Sequence, residues 1–138
     1  MIPFYLITPE RIAYQDFVDS VTLPTPDGEI TILPHHVPLI TMLGSGVVQL
    51  KKGSQEYFLS CSNGVVKVDK SGVMVLADSA EHADELIEED IEKAREEAKK
   101  LMQEKKGSTV EFAQAVALLE RETAKIKTLR RRRSRGNN

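Results

Sequence analysis

The sequence has no tryptophan, a single cysteine at position 61 and, in 138 residues, no apolar run of the ~20 residues that a membrane-spanning helix needs. Cys61 has no second cysteine to pair with, which excludes a disulfide-stapled secreted scaffold and makes a reducing compartment the expectation. The N-terminus lacks the basic flank and the small-residue cleavage site of a signal peptide, and Pro3 and Pro9 interrupt its short apolar run. A role at a membrane would therefore be a peripheral one. What the chain does have is enough length for one ordinary domain with a packed core, and a charged fraction of 29%.

The formal net charge of −2 conceals an asymmetry. Lys125, Lys127, Arg130, Arg131, Arg132, Arg133 and Arg135 have no acid among them, which leaves twelve bases against twenty-one acids in the rest of the chain. An acidic body ends in a basic tail. Aromatic residues divide the chain too, because only Phe112 follows residue 60, and all six prolines lie before residue 39.

The first half reads as short strands near residues 3–8, 12–18, 30–33, 47–51, 56–61, 65–68 and 73–77. Turn-forming clusters separate them at Pro24–Gly28, Gly44–Gly46, Lys51–Ser54, Ser62–Gly64 and Asp69–Gly72. Val66 and Val68 flank Lys67 with the period of a strand wet on one face. Val73–Ala77 is apolar throughout and is expected to be buried on both sides. This spacing predicts a small all-β sandwich.

After Asp78 the period changes to that of a helix. Ile87, Ile91, Ala94, Ala98 and Leu101 form one stripe, flanked by the favourable pairs of Glu89 with Lys93 and Glu96 with Lys100. Gly107 is expected to close this helix, and Ser108-Thr109-Val110-Glu111 to open the next as a capping box. Phe112, Val116, Leu119, Thr123 and Ile126 repeat the stripe. Ala94, Ala98, Ala113 and Ala117 are expected between two antiparallel helices that bury little area and depend on another surface. The expected organisation is an all-β N-terminal sandwich over residues 1–80, followed by an antiparallel α-helical hairpin over 81–138.

No pattern of residues reads as catalytic. The cluster Gly44-Ser45-Gly46 lacks the spacing and the lysine–hydroxyl pair of a phosphate-binding loop. Adjacent His35 and His36 on an extended segment point apart, and neither these nor His82 has acids or cysteines at metal-site spacing. Cys61 alternates with Leu59 and Tyr57 on one strand face, a core position rather than a nucleophile, and no nucleophile elbow surrounds Ser60 or Ser62. The acids from Glu88 to Glu97 are interspersed with basic residues, as on a solvated helix face. Neither a metal nor a cofactor is expected.

One stretch is specific. The run from Val21-Thr22-Leu23-Pro24 through Gly28-Glu29-Ile30-Thr31-Ile32-Leu33-Pro34-His35-His36-Val37-Pro38-Leu39 to Gly44-Ser45-Gly46 resembles the signature of the ε subunits of F-type ATP synthases. The likeness extends to Gly64–Val68, Val75–Glu81 and Phe112–Ala115. It implies a rotor subunit of a proton- or sodium-translocating synthase. The sandwich would dock on the γ shaft and the membrane c-ring, and the two helices would fold on the sandwich or extend toward the α and β subunits. Carried onto this chain, the c-ring contacts would be Gly28, Glu29, His36, Pro38 and Leu39.

Two departures stand out. Thr31 and His35 occupy positions where the family usually has glycine. Some bacterial members bind ATP through an Ile/Leu-Asp-x-x-Arg-Ala motif, for which this chain offers Leu86-Ile87-Glu88-Glu89-Asp90-Ile91; an acid replaces the phosphate-side arginine, so ATP binding is expected to be weak or absent. The basic residues Lys125, Lys127, Arg130, Arg131, Arg132 and Arg133 are expected to reach an acidic loop of the β subunit and brake hydrolysis. The resemblance further implies a place on the cytoplasmic face of a bacterial plasma membrane, with the plastid thylakoid as second choice. A nucleic-acid- or anionic-lipid-binding module using the arginine cluster is the alternative. Against nucleic acid stand the acidic body and a tail without aromatic residues.

Overall fold

The computed structural model describes residues 1–136, with side chains through Ser134. Arg135, counted above with the basic tail, has its side chain outside the described residues, as do Asn137 and Asn138 entirely.

Ten strands form two five-stranded sheets. They are β1 (Ile2–Ile7), β2 (Ile12–Val18), β3 (Ser20–Thr25), β4 (Gly28–Ile32), β5 (Leu39–Leu43), β6 (Gly46–Lys52), β7 (Gln55–Cys61), β8 (Gly64–Asp69), β9 (Gly72–Ala77) and β10 (Ala80–His82). One sheet has the order β2-β1-β9-β8-β5 and the other β10-β7-β6-β3-β4. All pairings are antiparallel except β1 with β9. The inward side chains of both sheets, among them Phe4, Leu6, Leu23, Leu50, Leu59 and Val75, close a core drawn entirely from residues 2–80. A single 3-10 turn, Ala83–Glu85, leads to α1 (Glu88–Glu104) and α2 (Thr109–Gly136).

Three strands escape the sequence pattern. β3 runs through Pro24 and Thr25, which read as turn residues. Pro24 pairs with Glu29 on β4, while its carbonyl accepts from Gly44 N–H on the opposite side at 2.9 Å. The ring nitrogen thus faces away from the β4 ladder, and β6 has already diverged from β3 beyond Thr22, so no ladder bond is lost. β5 and the three-residue β10 were not anticipated either. The turn proper is Pro26-Asp27, closed by Gly28 at φ 123°, and Thr25 Oγ1 donates to the Gly28 carbonyl.

The helices correct several expectations. Ile87 precedes α1 as its uncapped N-terminal residue and is 61% exposed, so the buried stripe of α1 begins at Ile91. Gly107 is not left-handed; the inter-helix loop instead continues in tight turns, with Lys105 N–H donating to Leu101 and Ser108 N–H to Lys105. Half of the capping box forms: Glu111 N–H donates to Ser108 Oγ at 3.4 Å, but the Glu111 carboxylate pairs with Lys105 at 3.1 Å instead of returning to the cap. Ala113 and Ala117 are exposed, whereas Ala98, Ala115 and Ala124 are the buried alanines. The physical reason is that α2 serves two surfaces, α1 and sheet β10-β7-β6-β3-β4, so its buried positions spread beyond one stripe.

Candidate functional site

Among the described residues no group of three or more His, Cys, Asp and Glu is placed to hold a metal ion. Cys61 is buried, and desolvation pushes its thiol up to about 12, so it stays a neutral core residue. The chemistry of this molecule lies on its surfaces.

The two sheets present opposite outer faces. On sheet β2-β1-β9-β8-β5 the strand register aligns a cross-strand row Ile7–Leu76–Val65–Met42, and beside it Tyr5–Met74–Lys67–Ile40. Ile40 is 73% exposed, Met42 58% and Leu76 49%. Phe17 and Ile12 on β2 extend the patch to the sheet edge. The doubly apolar β9 is therefore buried on one side only: Val73, Val75 and Ala77 point into the core, while Met74 and Leu76 face out. An apolar strand facing water marks a docking surface.

The other sheet is covered by the hairpin although its outer face is more polar. Beneath α2 lie Val47 and Phe58, but also the buried Gln49 and Ser60, and α2 itself buries Glu122 and Thr128. Thr128 Oγ1 is satisfied by donating to the Ala124 carbonyl. Lys125 bridges Glu122 at 3.1 Å and Glu81 of β10 at 3.3 Å. The apolar part of the hairpin is a small cluster of Ile91, Ile126 and Leu129 with Leu86 against it.

The end of α2 is tied down by charge. Arg131 donates to Glu29 at 2.7 Å, Arg132 pairs with Asp84 at 2.7 Å and Arg133 donates to Glu88 at 2.6 Å. The Arg133 hydrogen bond, aided by the Arg133 and Arg130 charges, holds the Glu88 carboxyl below the usual glutamate range. At the same junction Arg11 reaches Glu85 with both guanidinium nitrogens, at 3.0 and 3.3 Å, and this likewise lowers the Glu85 carboxyl.

The sequence-derived residues distribute unevenly over this scheme. Gly28 and Glu29 open β4 at the β3–β4 turn, whereas His36 and Pro38 follow the far end of that strand, and Leu39 packs partly on the core. His35 takes φ 67°, in the left-handed region that glycine adopts at least cost. Thr31 is an ordinary strand residue whose hydroxyl meets that of Thr22 at 3.0 Å. In the segment Leu86–Ile91, Leu86 and Ile91 pack into the hairpin core while Ile87, Glu88, Glu89 and Asp90 are exposed. Lys127 and Arg130 are exposed too. The structure thus joins two residues that the sequence treated separately, Glu29 and Arg131. It also reveals the apolar patch, whose only sequence signal was the unbroken run of β9.

Comparison of the sequence with known proteins gives one family. The family profile described as "ATP synthase, Delta/Epsilon chain, beta-sandwich domain" matches residues 1–83. The ATP synthase epsilon chain of Herpetosiphon aurantiacus is 35% identical over 134 residues, covering 97% of this chain and 98% of that one. That of Desulforamulus reducens is 34% identical over 122 residues, covering 88% and 92%. Among solved structures, a chain in the Euglena gracilis mitochondrial ATP synthase assembly of OSCP, F1 and c-ring superposes with a TM-score of 0.76 at 24% identity. It covers 89% of this chain and 78% of that one, a likeness of fold. With the sandwich profile matching more than half of its length and relatives alike nearly end to end, the chain belongs to the epsilon-chain family of ATP synthases, non-catalytic subunits of the F1 central stalk.

Proposed function

We propose that this chain couples the γ shaft and the c-ring to the F1 head of a proton- or sodium-translocating synthase, and that its helices restrain ATP hydrolysis. The observation that carries the reading is the division of labour between the two sheet faces. A self-contained domain would cover its most apolar face with its own helices. Here the apolar rows around Leu76 and Val65 stay bare while the hairpin covers the polar sheet. The bare face suits a permanent partner, for which the γ subunit is proposed, and the polar face suits a cover that leaves and returns.

On this reading residues 1–80 form the docking unit and 81–138 the regulatory one. Gly28 and Glu29 meet the c-ring at the β3–β4 turn, with His36, Pro38 and Leu39 as further contacts. Opening of the hairpin frees Arg131, Arg132 and Arg133 from their carboxylates and Lys125 from Glu81, leaving Lys125 its pair with Glu122 on the same helix. These residues, with the already exposed Lys127 and Arg130, would then pair with an acidic loop of the β subunit. At ~1.5 Å of rise per residue, the 28 residues of α2 span about 40 Å, a reach that supports this reading. ATP is not a proposed ligand, since exposed Asp90 would repel phosphate and Ile91 belongs to the hairpin core. The working place is the cytoplasmic face of a bacterial plasma membrane; among the described residues no helix is long and apolar enough to cross a membrane. Arg131, Arg132 and Arg133 already lie on carboxylates, which favours an acidic protein loop over nucleic acid or lipid as their second partner.

The test is reconstitution of the synthase with two variants. Leu76→Glu should lower the amount of this subunit that co-purifies with γ, with its circular dichroism unchanged. Removal of residues 127–138 should leave assembly intact and raise ATP hydrolysis. Undiminished co-purification of Leu76→Glu would refute the docking face, and unchanged hydrolysis at both low and high salt would refute the brake.

A further inference from the structure

We propose that the β3–β4 turn is a binding site for a cationic side chain which the chain's own Arg131 fills, so that a docking basic loop and Arg131 compete for the Glu29 carboxylate. Among the described residues four ion pairs hold the end of α2 to the rest of the chain, but they are not equivalent. Glu88 lies on α1, within the hairpin itself, and Asp84 lies in the 3-10 turn that leads into it. Glu81 of β10 sits just before that turn. Only Glu29 belongs to a strand remote from the connection: it is 102 residues from Arg131 and on β4, the sheet edge opposite β10. The Glu81 and Glu29 pairs therefore strap α2 across the sheet from one edge strand to the other. Any movement that lifts the arm off the sandwich must break the pair at Glu29.

The carboxylate is held out for this role. Gly28 at φ 123° and the Thr25 hydroxyl bond to its carbonyl fix the turn immediately before Glu29. The side chain of Glu29 remains 47% exposed with Arg131 on one oxygen, Oε2. The pair is thus open to solvent and to a competitor. An exchange of one guanidinium or ammonium partner for another nearly conserves the interaction, so a docking basic loop could displace Arg131 at little cost. Identifying that loop with the c-ring rests on the function proposed above; the internal pair does not.

Amide hydrogen exchange of the full-length chain tests the strap. Glu29→Gln and Arg131→Gln should each speed exchange of the amides of residues 124–134 by two- to fivefold at low salt, the range of an exposed pair. The double variant should be no faster than either single one, and the swapped pair of Glu29→Arg with Arg131→Glu should restore protection. Unchanged exchange in Glu29→Gln, or additive effects in the double variant, would overturn the strap. Repeating Glu29→Gln within the assembled synthase tests competition: its effect on these amides should vanish once the partner occupies the turn. An effect as large as in the free chain would overturn competition. Absence of the wild-type chain from the purified complex would instead refute the rotor assignment and leave the strap standing.

Discussion

Gly64 and His35 show how backbone constraints differ in kind at single residues. A Cβ at Gly64 would stand 1.8 Å from the Leu76 carbonyl oxygen and 2.8 Å from its carbon, both backbone atoms of the neighbouring strand, which cannot swing away. Gly64→Ala is therefore expected to lower stability by at least ~1–3 kcal/mol, read as a lower urea midpoint with the slope unchanged. His35 poses the opposite case, a side chain on a backbone at φ 67°. Relief of ~1–2 kcal/mol of left-handed strain outweighs the ~0.5–1 kcal/mol entropy penalty of glycine, so His35→Gly should raise the same midpoint slightly. An unchanged midpoint in Gly64→Ala would mean that β8 and β9 can separate at that point without loss.

At the scale of elements, the period of a segment was legible and its partner was not. The alternation of Val66 and Val68 about Lys67 located β8, and the helical spacing located α1 and α2. β3 was hidden because Pro24 reads as a turn residue unless one knows which side of the strand is paired. The same blindness applies to charge: the arginine run was plain, but nothing in it names Glu29 or Asp84. The acidic first turn of α1 yields a prediction through Glu88. Its carboxyl lies below the ordinary glutamate value of ~4.3 because Arg133 donates to it and Arg133 and Arg130 lie near. A carboxylate lowered in the folded state adds its full stabilisation above that ordinary value and loses it as pH falls through the lower, folded one. Docking of the end of α2 should accordingly loosen in acid, seen as faster exchange of residues 124–134 after correction for intrinsic rates. In Glu88→Gln this part of the pH dependence should disappear. An equal acid response in the variant would refute the assignment to Glu88.

For the whole molecule, the question is which half can stand without the other. Every residue of the main core, from Ile2 to Ala80, lies in the strands, so the sandwich closes without either helix. Losing the hairpin would uncover Val47 and Phe58 on an outer face, but that exposes surface without opening the core. The hairpin is in the reverse position. Its own apolar cluster is only Ile91, Ile126 and Leu129 with Leu86, and helices in proteins owe most of their stability to packing an amphipathic face on another surface. A chain ending at residue 86 should therefore keep a cooperative thermal transition and the exchange protection of β1, β6, β7 and β9. A peptide of residues 86–138 should show low helicity that rises only in helix-promoting solvent. Loss of cooperative unfolding in the shortened chain would mean that α2 is a structural part of the sandwich, and an arm that is part of the sandwich could not leave it to act elsewhere.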